Sequence, residues 1–323
     1  MVHDGLWGIG RERSENETLR VKDQILPFRI ENTDIRGQIV RLGPTLDDVL
    51  NRHDYPGPVA QIVGQALLLT AMLGASLKFD GKLTLQIQGD GPLSMVIADY
   101  QTSGTLRGVA HSNKDALDQL LAGNAAAPDQ SGFSALLGKG HLAFTVDQGP
   151  DMERYQGIVA LGGPDLSACA LVYFGQSEQI LTAVKLSVSE LLEPGGVHSW
   201  HGGGLLIQLL PPKGGERNEV SNDALDDWER MSILMETVED LELTDPDLSA
   251  QKLLYRLFHE DGVRIFDAQD ISFSCQCNKE KIKRILKTFD ADDQKGMIEE
   301  GMITARCDFC NTQYTFNPSE ISS

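Results

Sequence analysis

Alternating apolar and polar residues predict short β-strands along the first two thirds of the chain. Lys82–Gln88 alternates between the two classes, Gly89–Pro92 supplies turn-forming residues, and Leu93–Ile97 is again largely apolar. Two such runs joined by a glycine-rich turn are typical of an antiparallel hairpin. The other segments with a strand-like pattern are His141–Val146, Tyr155–Leu161, Ala168–Phe174 and Leu205–Leu210.

One long apolar segment, Val59–Leu77, has its apolar residues at helical spacing and contains no charged residue. Its length and composition approach those of a membrane span, but Gln61, Gln65, Gly64 and Gly74 interrupt it. We therefore expect a helix buried in a soluble core. A helix that covers the apolar side of the hairpin gives an α+β fold, with helices layered on a mostly antiparallel sheet.

The pattern changes at Pro211–Gly215, a turn sequence that we interpret as a domain boundary. The acidic segment that follows keeps apolar residues three and four positions apart, as in an amphipathic helix. The residues of this stripe are Leu225, Trp228, Met231, Met235 and Val238. A second helix is predicted to begin at Asp245 and Pro246, which would serve as its N-cap and first-turn residues.

Two roles fit the apolar stripe of the first acidic helix. It can rest on a neighbouring surface as ordinary packing. Alternatively, Met, Trp and Leu on a mobile helix offer an adaptable surface for binding unfolded client proteins. The pattern alone leaves both roles open.

These patterns divide the chain into four parts. The fold class is α+β, with a sheet-and-helix core domain, a helical linker and a small C-terminal four-cysteine module. The predicted parts are a flexible leader at residues 1–24, the core domain at 25–212, the helical linker at 213–265 and the four-cysteine module at 266–323.

Charge and composition restrict the class of partner and compartment. The formal net charge of −19 repels phosphate backbones, which disfavours a nucleic-acid partner. Residues 1–24 lack the continuous apolar stretch of a secretory signal, and we predict no membrane partner. Together these features predict a soluble cytoplasmic protein.

The chain has five cysteines, and four of them form two tight pairs near the C-terminus. Cys275 and Cys277 form a C-x-C pair, while Cys307 and Cys310 form a C-x-x-C pair. Zinc prefers four thiolates in a tetrahedron, and each short pair lets one segment donate two sulfurs. The four cysteines are therefore predicted to bind zinc at a closed site, which leaves no position for a substrate.

The spacing of the cysteines leaves two interpretations open. An inert structural zinc site uses the same residues as a redox switch. In a switch, an oxidant attacks the metal-held thiolates and each pair supplies its own resolving cysteine. Since zinc binding supplies much of the folding free energy of small modules, loss of the metal should then unfold the module.

Several other features are assigned structural roles. His201–Gly204 is interpreted as a glycine turn before a strand, because no G-x-S-x-G motif accompanies it. His198 is placed in the same turn. Cys169, in an apolar run, is interpreted as a core residue whose redox role is unassigned. The basic run Lys279–Lys287 is predicted to be the solvated face of a helix between the cysteine pairs.

The cysteine pairs and five further segments resemble the thirty-three-kilodalton heat-shock protein family of redox-regulated holdase chaperones. The similarity covers about residues 25–316 and keeps the family's order of segments. Those segments are His53–Pro56, Leu83–Leu93, Glu153–Val159, Tyr173–Gln179 and Leu257–Arg264.

The resemblance implies a function and a mechanism. The reduced, zinc-bound protein should be inactive. On oxidation it should form the disulfides Cys275–Cys277 and Cys307–Cys310, release zinc, unfold its tail and linker, and bind unfolding proteins as a homodimer. It should act as an ATP-independent chaperone rather than as an enzyme, and the absence of a G-x-x-x-x-G-K-[ST] loop agrees with that expectation.

Two other functions are weighed against the chaperone. A thiol–disulfide oxidoreductase would use Cys307 and Cys310, but this C-x-x-C lies at the end of the chain and outside any βαβ pattern. A zinc-stabilised binding module without redox chemistry would use all four cysteines as structural ligands.

Overall fold

The computed structural model describes residues 22–77, 80–124, 132–149, 152–193, 195–211 and 221–321. Most of the predicted leader therefore lies outside the described residues, and so does most of the predicted boundary sequence Pro211–Gly215. The division into four domains stays a prediction.

Fifteen strands occur in the described residues. In chain order they are β1 (Gln24–Ile30), β2 (Ile35–Leu42), β3 (Lys82–Gly89), β4 (Leu93–Gln101), β5 (Thr105–Ser112), β6 (Gly140–Asp147), β7 (Tyr155–Ala160), β8 (Thr182–Glu193), β9 (Val197–Leu209), β10 (Val263–Ile265), β11 (Gln269–Asp270), β12 (Ser272–Phe273), β13 (Ile298–Glu299), β14 (Met302–Arg306) and β15 (Gln313–Phe316).

The same residues contain eleven α-helices. They are α1 (Pro44–Leu50), α2 (Gly57–Ala75), α3 (Lys114–Asn124), α4 (Gly132–Leu137), α5 (Leu166–Tyr173), α6 (Asn222–Glu236), α7 (Asp240–Thr244), α8 (Ala250–Phe258), α9 (Lys279–Leu286), α10 (Ala291–Gly296) and α11 (Pro318–Ile321).

Three sheets organise the strands. The first has the order β10-β1-β2-β9-β8, with β11 also paired to β1, and the second has the order β12-β5-β4-β3-β6-β7. The third is the small hairpin sheet β13-β14-β15. All described pairings are antiparallel except that of β12 with β5. The mixed α+β class predicted from the sequence is confirmed.

Helix α2 lies at the centre of the largest apolar cluster. That cluster joins α2 to residues from both large sheets, including Val40, Leu85 and Leu206. Among the described residues, α2 is long and apolar enough to span a membrane, yet 72% of that stretch is buried inside the protein. The predicted buried helix is confirmed, as is the hairpin of β3 and β4.

A second apolar cluster lies on the opposite face of the first sheet. Residues of β1, β2 and β9, such as Phe28, Ile39 and Ile207, pack there against Met231, Leu254 and other residues of α6–α8. The first sheet is therefore buried on both faces, by α2 on one side and by the acidic helices on the other. This explains why β9 is buried along most of its length.

The predicted strand at Ala168–Phe174 is wrong, because Leu166–Tyr173 forms helix α5. The side chain of Asp165 accepts a hydrogen bond from the Ala168 amide and so caps the helix. Leu166, Cys169, Ala170 and Tyr173 are buried at helical spacing. A short apolar run without polar alternation suits either a buried strand or a buried helix, so the pattern was ambiguous.

The predicted glycine turn at His201–Gly204 is also wrong, since these residues and His198 lie within β9. A Cβ atom on Gly203 would lie 2.1 Å from the carbonyl oxygen of Leu243 in α7. The glycine thus allows the acidic helices to approach the strand backbone. His201 is buried and its Nε2 lies 3.1 Å from the Ser199 hydroxyl oxygen.

The acidic segment contains three helices where two were predicted. The predicted N-cap at Asp245 is wrong, because Asp245 ends α7 and the side chain of Ser249 caps α8 instead. The Asp245 carboxylate accepts from the Asp247 amide and forms a local turn. The helix predicted between the cysteine pairs is confirmed as α9.

Candidate metal centre

Four cysteine sulfurs converge on one point at the end of the chain. The Sγ atoms of Cys275, Cys277, Cys307 and Cys310 all lie within 4.8 Å of one another. Cys275 Sγ is 3.7 Å from Cys307 Sγ, and Cys277 Sγ is 3.3 Å from Cys310 Sγ. The two segments predicted to share a metal site are therefore brought together.

Local backbone structure positions each pair. Strand β12 pairs in parallel with β5, and the amide of Ser274 donates to the Leu106 carbonyl, which places Cys275 beside β5. Cys307 and Cys310 lie in the loop between β14 and β15. In that loop the Cys307 amide donates to the Thr312 carbonyl, and Asn311 adopts a left-handed conformation with φ 55°.

The sulfur geometry fits a tetrahedral thiolate site. With Zn–S bonds of about 2.3 Å, sulfurs at the corners of a tetrahedron lie about 3.8 Å apart. The closest described sulfur pairs are near this separation. The four cysteines can therefore hold a metal ion, and an all-sulfur donor set is consistent with zinc.

The short sulfur distances do not favour one disulfide pairing. Each joins a cysteine of one segment to a cysteine of the other, whereas the pairing implied by the resemblance lies within each segment. Because all four sulfurs lie within 4.8 Å, each has more than one partner nearby. The disulfides Cys275–Cys277 and Cys307–Cys310 stay a prediction.

The environments of the thiols differ. Burial raises the pKa of Cys307 to about 12. Burial also opposes ionisation of Cys310, but hydrogen bonds with Thr312 and the neighbouring sulfurs outweigh it and lower its pKa to about 7. The Tyr314 hydroxyl lies 3.2 Å from Cys277 Sγ, and this contact raises the pKa of Tyr314 to about 12. Cys310 therefore has the thiol with the greatest tendency to ionise among the cysteines with shifted pKa values.

Arg107 on β5 contacts both cysteine segments. Its guanidinium carbon lies 3.9 Å from the centre of the Phe309 ring, and one guanidinium nitrogen is 4.0 Å from Cys275 Sγ. Two other nitrogens donate to Asp99 Oδ2 at 2.9 and 2.6 Å. Asp99 is buried and also accepts from the Thr84 hydroxyl. A buried carboxylate thus holds the cation that touches the sulfur cluster.

The loop between α1 and α2 makes further contacts with the cysteine loop. The Asn311 side chain donates to the Arg52 carbonyl at 3.0 Å, and His53 Nε2 lies 3.5 Å from the Phe309 carbonyl oxygen. Burial lowers the pKa of His53, although the contact with the Phe309 carbonyl acts in the opposite direction. The cysteine loop is thus anchored to the core by polar contacts around Phe309.

Sequence patterns give no signal for Arg107 and Asp99. Arg107 is 168 residues from Cys275, and Asp99 lies on a different strand. Both belong to a sheet in which charged side chains at alternate positions ordinarily face solvent. Only the parallel pairing of β12 with β5 brings Arg107 next to a cysteine.

The predicted client-binding residues differ in burial. Met231, Met235 and Val238 are buried against the first sheet, Trp228 is half-buried, and Leu225 is exposed. Their role with clients stays a prediction. Cys169 is buried in the main core, where its Sγ donates to the Gly162 carbonyl at 3.1 Å. It takes no part in the sulfur cluster.

Comparisons with known proteins show which family the chain resembles along its length. A family model described as "Hsp33 protein" matches residues 23–317. The 33 kDa chaperonin of Caulobacter vibrioides strain NA1000 / CB15N is 40% identical over 297 residues, which cover 92% of this chain and 95% of that protein. The 33 kDa chaperonin of Escherichia coli O7:K1 is 33% identical over 301 residues, covering 93% and 94%.

A solved structure has the same fold. The 33 kDa chaperonin of Thermotoga maritima, also described as a heat shock protein 33 homolog, superposes with a TM-score of 0.73 at 23% identity. The match covers 93% of this chain and 96% of that one. The similarity in sequence along nearly the whole length shows that the chain belongs to the Hsp33 family.

Proposed function

We propose that this protein is a redox-regulated, ATP-independent holdase chaperone. In its reduced form the four cysteines hold zinc and the protein is inactive. In its oxidised form it binds unfolding proteins and prevents their aggregation. The observation that carries the proposal is the four-sulfur cluster in a member of a family whose relatives are named 33 kDa chaperonins.

Cys275, Cys277, Cys307 and Cys310 would hold the zinc as thiolates. A bound metal would cross-link the two segments, and a site with four protein ligands leaves no position for a substrate. The apolar cluster beneath it is small. It contains four buried residues, Leu286, Ile303, Phe316 and Ile321. A core of this size depends on added cross-links, which supports a structural role for the metal.

The redox step is the formation of two disulfides by a peroxide. Each pair of thiolates forms one S–S bond and gives up two electrons. The peroxide breaks its O–O bond, takes up two protons from the buffer and leaves as two water molecules. Two peroxide molecules thus oxidise all four sulfurs. We propose the pairs Cys275–Cys277 and Cys307–Cys310, after which no thiolate charge remains to hold a metal.

Unfolding of the cysteine module would free the linker helices from the core. Strand β12 joins the first cysteine segment to β5, and β10 joins the end of the linker to β1. Release of α6–α8 would expose the second apolar cluster on the first sheet together with the apolar stripe of α6. We propose that Leu225, Trp228, Met231, Met235 and Val238 then contact clients.

We further propose that the active protein is a cytoplasmic homodimer that acts by binding, without catalytic turnover. Its formal net charge of −19 disfavours nucleic acid as a partner, and the burial of α2 disfavours a membrane role. The proposed partners are therefore unfolded or partly unfolded proteins.

A light-scattering assay with a thermally unfolding client tests the function. The oxidised protein should suppress aggregation, and the reduced, zinc-loaded protein should not. Zinc content and free thiols are measured on the same samples. Oxidation should release one zinc and remove four thiols per chain, as the four-cysteine cluster requires. The variant Cys169→Ala should behave like the wild type, because Cys169 lies outside the cluster.

Other outcomes would contradict the proposal. Equal suppression by both forms would exclude the redox switch. Retention of zinc and thiols after mild peroxide treatment would favour an inert structural site. Catalytic reduction of insulin would favour the thiol–disulfide oxidoreductase.

A further inference from the structure

Two cations of the core donate hydrogen bonds to the backbone of the acidic linker. Arg41 of β2 donates through its guanidinium nitrogens to the carbonyls of Glu242, Leu243 and Leu248. The distances to the Glu242 and Leu248 oxygens are 2.7 and 3.1 Å. Lys185 of β8 donates to the Val238 carbonyl. Both cations therefore contact the main chain of the linker.

The carbonyls that Arg41 contacts include two from the last turn of α7. The last carbonyls of a helix have no partner within the helix and carry the negative end of its dipole. Neither α6 nor α7 has a basic residue in its own last turn. Val238 lies in the connection between these two helices. The core thus supplies the positive charge that the last turns of α6 and α7 lack.

The burial of Arg41 makes this contact energetically important. Arg41 is 3% exposed, and a buried guanidinium without acceptors is strongly unfavourable. The carboxylates of Asp245 and Glu242 are near enough to favour its charge, although burial lowers its pKa to about 10. Removal of the linker would leave this cation facing an apolar surface until water reached it.

A glycine in β9, Gly203, makes room for the same contact. Arg41 pairs with Gly203 across the β2–β9 ladder, so the two residues are neighbours on the sheet. A Cβ atom on Gly203 would lie 2.1 Å from the Leu243 carbonyl oxygen. The glycine lets α7 approach the sheet closely enough for Arg41 to reach its last turn. Arg41 and Gly203, on adjacent strands, therefore form one binding site for the end of α7.

We propose that Arg41 and Lys185 form a latch. These two core cations bind backbone carbonyls of the linker helices and of their connection, and so couple the folding of the helices to their docking on the first sheet. Short helices such as α7 have little stability in isolation. When α7 leaves the sheet it loses its capping cation, so undocking and unfolding occur together. The inference rests on the proposed function only in that linker release is what exposes the client surface.

Hydrogen–deuterium exchange of the reduced, zinc-loaded full chain tests the latch. Arg41→Met should raise the amide exchange rates in residues 236–258 at least tenfold, while zinc content and thiol count stay at wild-type values. Arg41→Lys should give a smaller increase, because one ammonium keeps the charge but cannot reach three carbonyls in the same way. Lys185→Met should raise exchange at residues 236–244.

A matched control lies on the same strand. Arg36 of β2 donates to the Gln208 side chain at 3.1 Å, within the core sheet. Arg36→Met should leave linker exchange unchanged. If Arg41→Met also loses amide protection in β2 and β9, the core itself has been disturbed. The Lys185→Met variant then tests the latch, because Lys185 is only half-buried. Wild-type linker exchange in Lys185→Met and in a folded Arg41→Met would overturn the proposal.

The same samples separate the latch from the proposed function. A reduced, zinc-loaded Arg41→Met protein with a rapidly exchanging linker should suppress client aggregation without oxidation. A different result would be rapid linker exchange in Arg41→Met with no suppression of client aggregation, either by this variant or by the oxidised wild type. That result would support the latch and contradict the holdase function.

Discussion

Arg107 and Phe309 are in direct contact, with the guanidinium carbon 3.9 Å from the centre of the aromatic ring. Phe309 lies between Cys307 and Cys310, whereas Arg107 belongs to a strand of the core. The contact therefore joins the candidate metal centre to the core through a side chain held by Asp99.

Arg107→Gln should detach the cysteine module from the core. The change removes the cation–π contact and leaves the Asp99 carboxylate, which is 5% exposed, without its closest cation. We expect a loss of about 3 kcal/mol in the free energy of unfolding measured with urea. Module amides should also exchange faster. Arg154→Gln is the control, because that arginine is 72% exposed in its ion pair and should cost less than about 1 kcal/mol. Equal effects of the two changes would contradict this prediction.

Removal of the proposed zinc should unfold the C-terminal module and spare the core. The module has its own apolar cluster of only four buried residues, whereas the two larger clusters belong to the sheets and their helices. A chelator under reducing conditions should therefore abolish amide protection in residues 279–321 and leave β3, β4 and β6 protected.

Cys307→Ser should reproduce this unfolding without a chelator and weaken zinc binding at least about tenfold, because a serine hydroxyl is a poor ligand for zinc. Cys169→Ala is the matched control for a cysteine outside the cluster. Zinc affinity is measured by competition with a chromogenic chelator. A Cys307→Ser protein with wild-type affinity and a protected module would contradict the assignment.

Gly203→Ala should push α7 away from the sheet. The added Cβ would lie 2.1 Å from the Leu243 carbonyl oxygen, which is closer than atoms can approach. A clash of this kind should cost about 1.4 kcal/mol or more in the free energy of docking. Limited proteolysis should therefore cut the linker of the reduced variant at least about tenfold faster than that of the reduced wild type.

The control for that substitution is Gly123→Ala in α3. A Cβ at Gly123 meets nothing within 4 Å, and alanine favours a helix over glycine by about 1 kcal/mol. This variant should keep wild-type linker cleavage. The same cleavage rate in Gly203→Ala and wild type would show that the docking of α7 does not require glycine at position 203.

The burial of His53 beside the Phe309 carbonyl should make stability depend on pH. Burial lowers the pKa of His53 below its ordinary value of 6.5. Below about pH 6.5 the unfolded chain binds a proton that the folded state resists, so stability should fall as the pH is lowered. At higher pH His53 is neutral in both states and contributes no pH dependence.

Urea unfolding at several values between pH 8 and pH 5 measures this effect. His53→Gln should flatten the decrease on the acidic side. The exposed His259 in the linker provides the control, and His259→Gln should keep the wild-type profile. A His53→Gln profile that parallels the wild type would contradict the prediction.

The elements that the sequence predicted correctly have regular patterns. The hairpin of β3 and β4 alternates apolar and polar residues, and α2 has a long uncharged helical pattern. Helix α5 lies where the sequence predicts a strand, because its residues are apolar without a clear period. The glycines of β9 predict a turn but lie within a strand, because glycine occurs both in turns and at places of close backbone approach.

The sequence by itself determined the cysteine pairs, the acidic amphipathic linker, the α+β class and the family resemblance. These features depend on residue types at short spacings, which local chemistry can interpret. Only the tertiary structure revealed the contacts of Arg107 with the cysteine loop and of Arg41 with the end of α7. Those partners are far apart along the chain, and strand pairing brings them together. Local patterns record which face of an element is buried, but not which distant segment covers it.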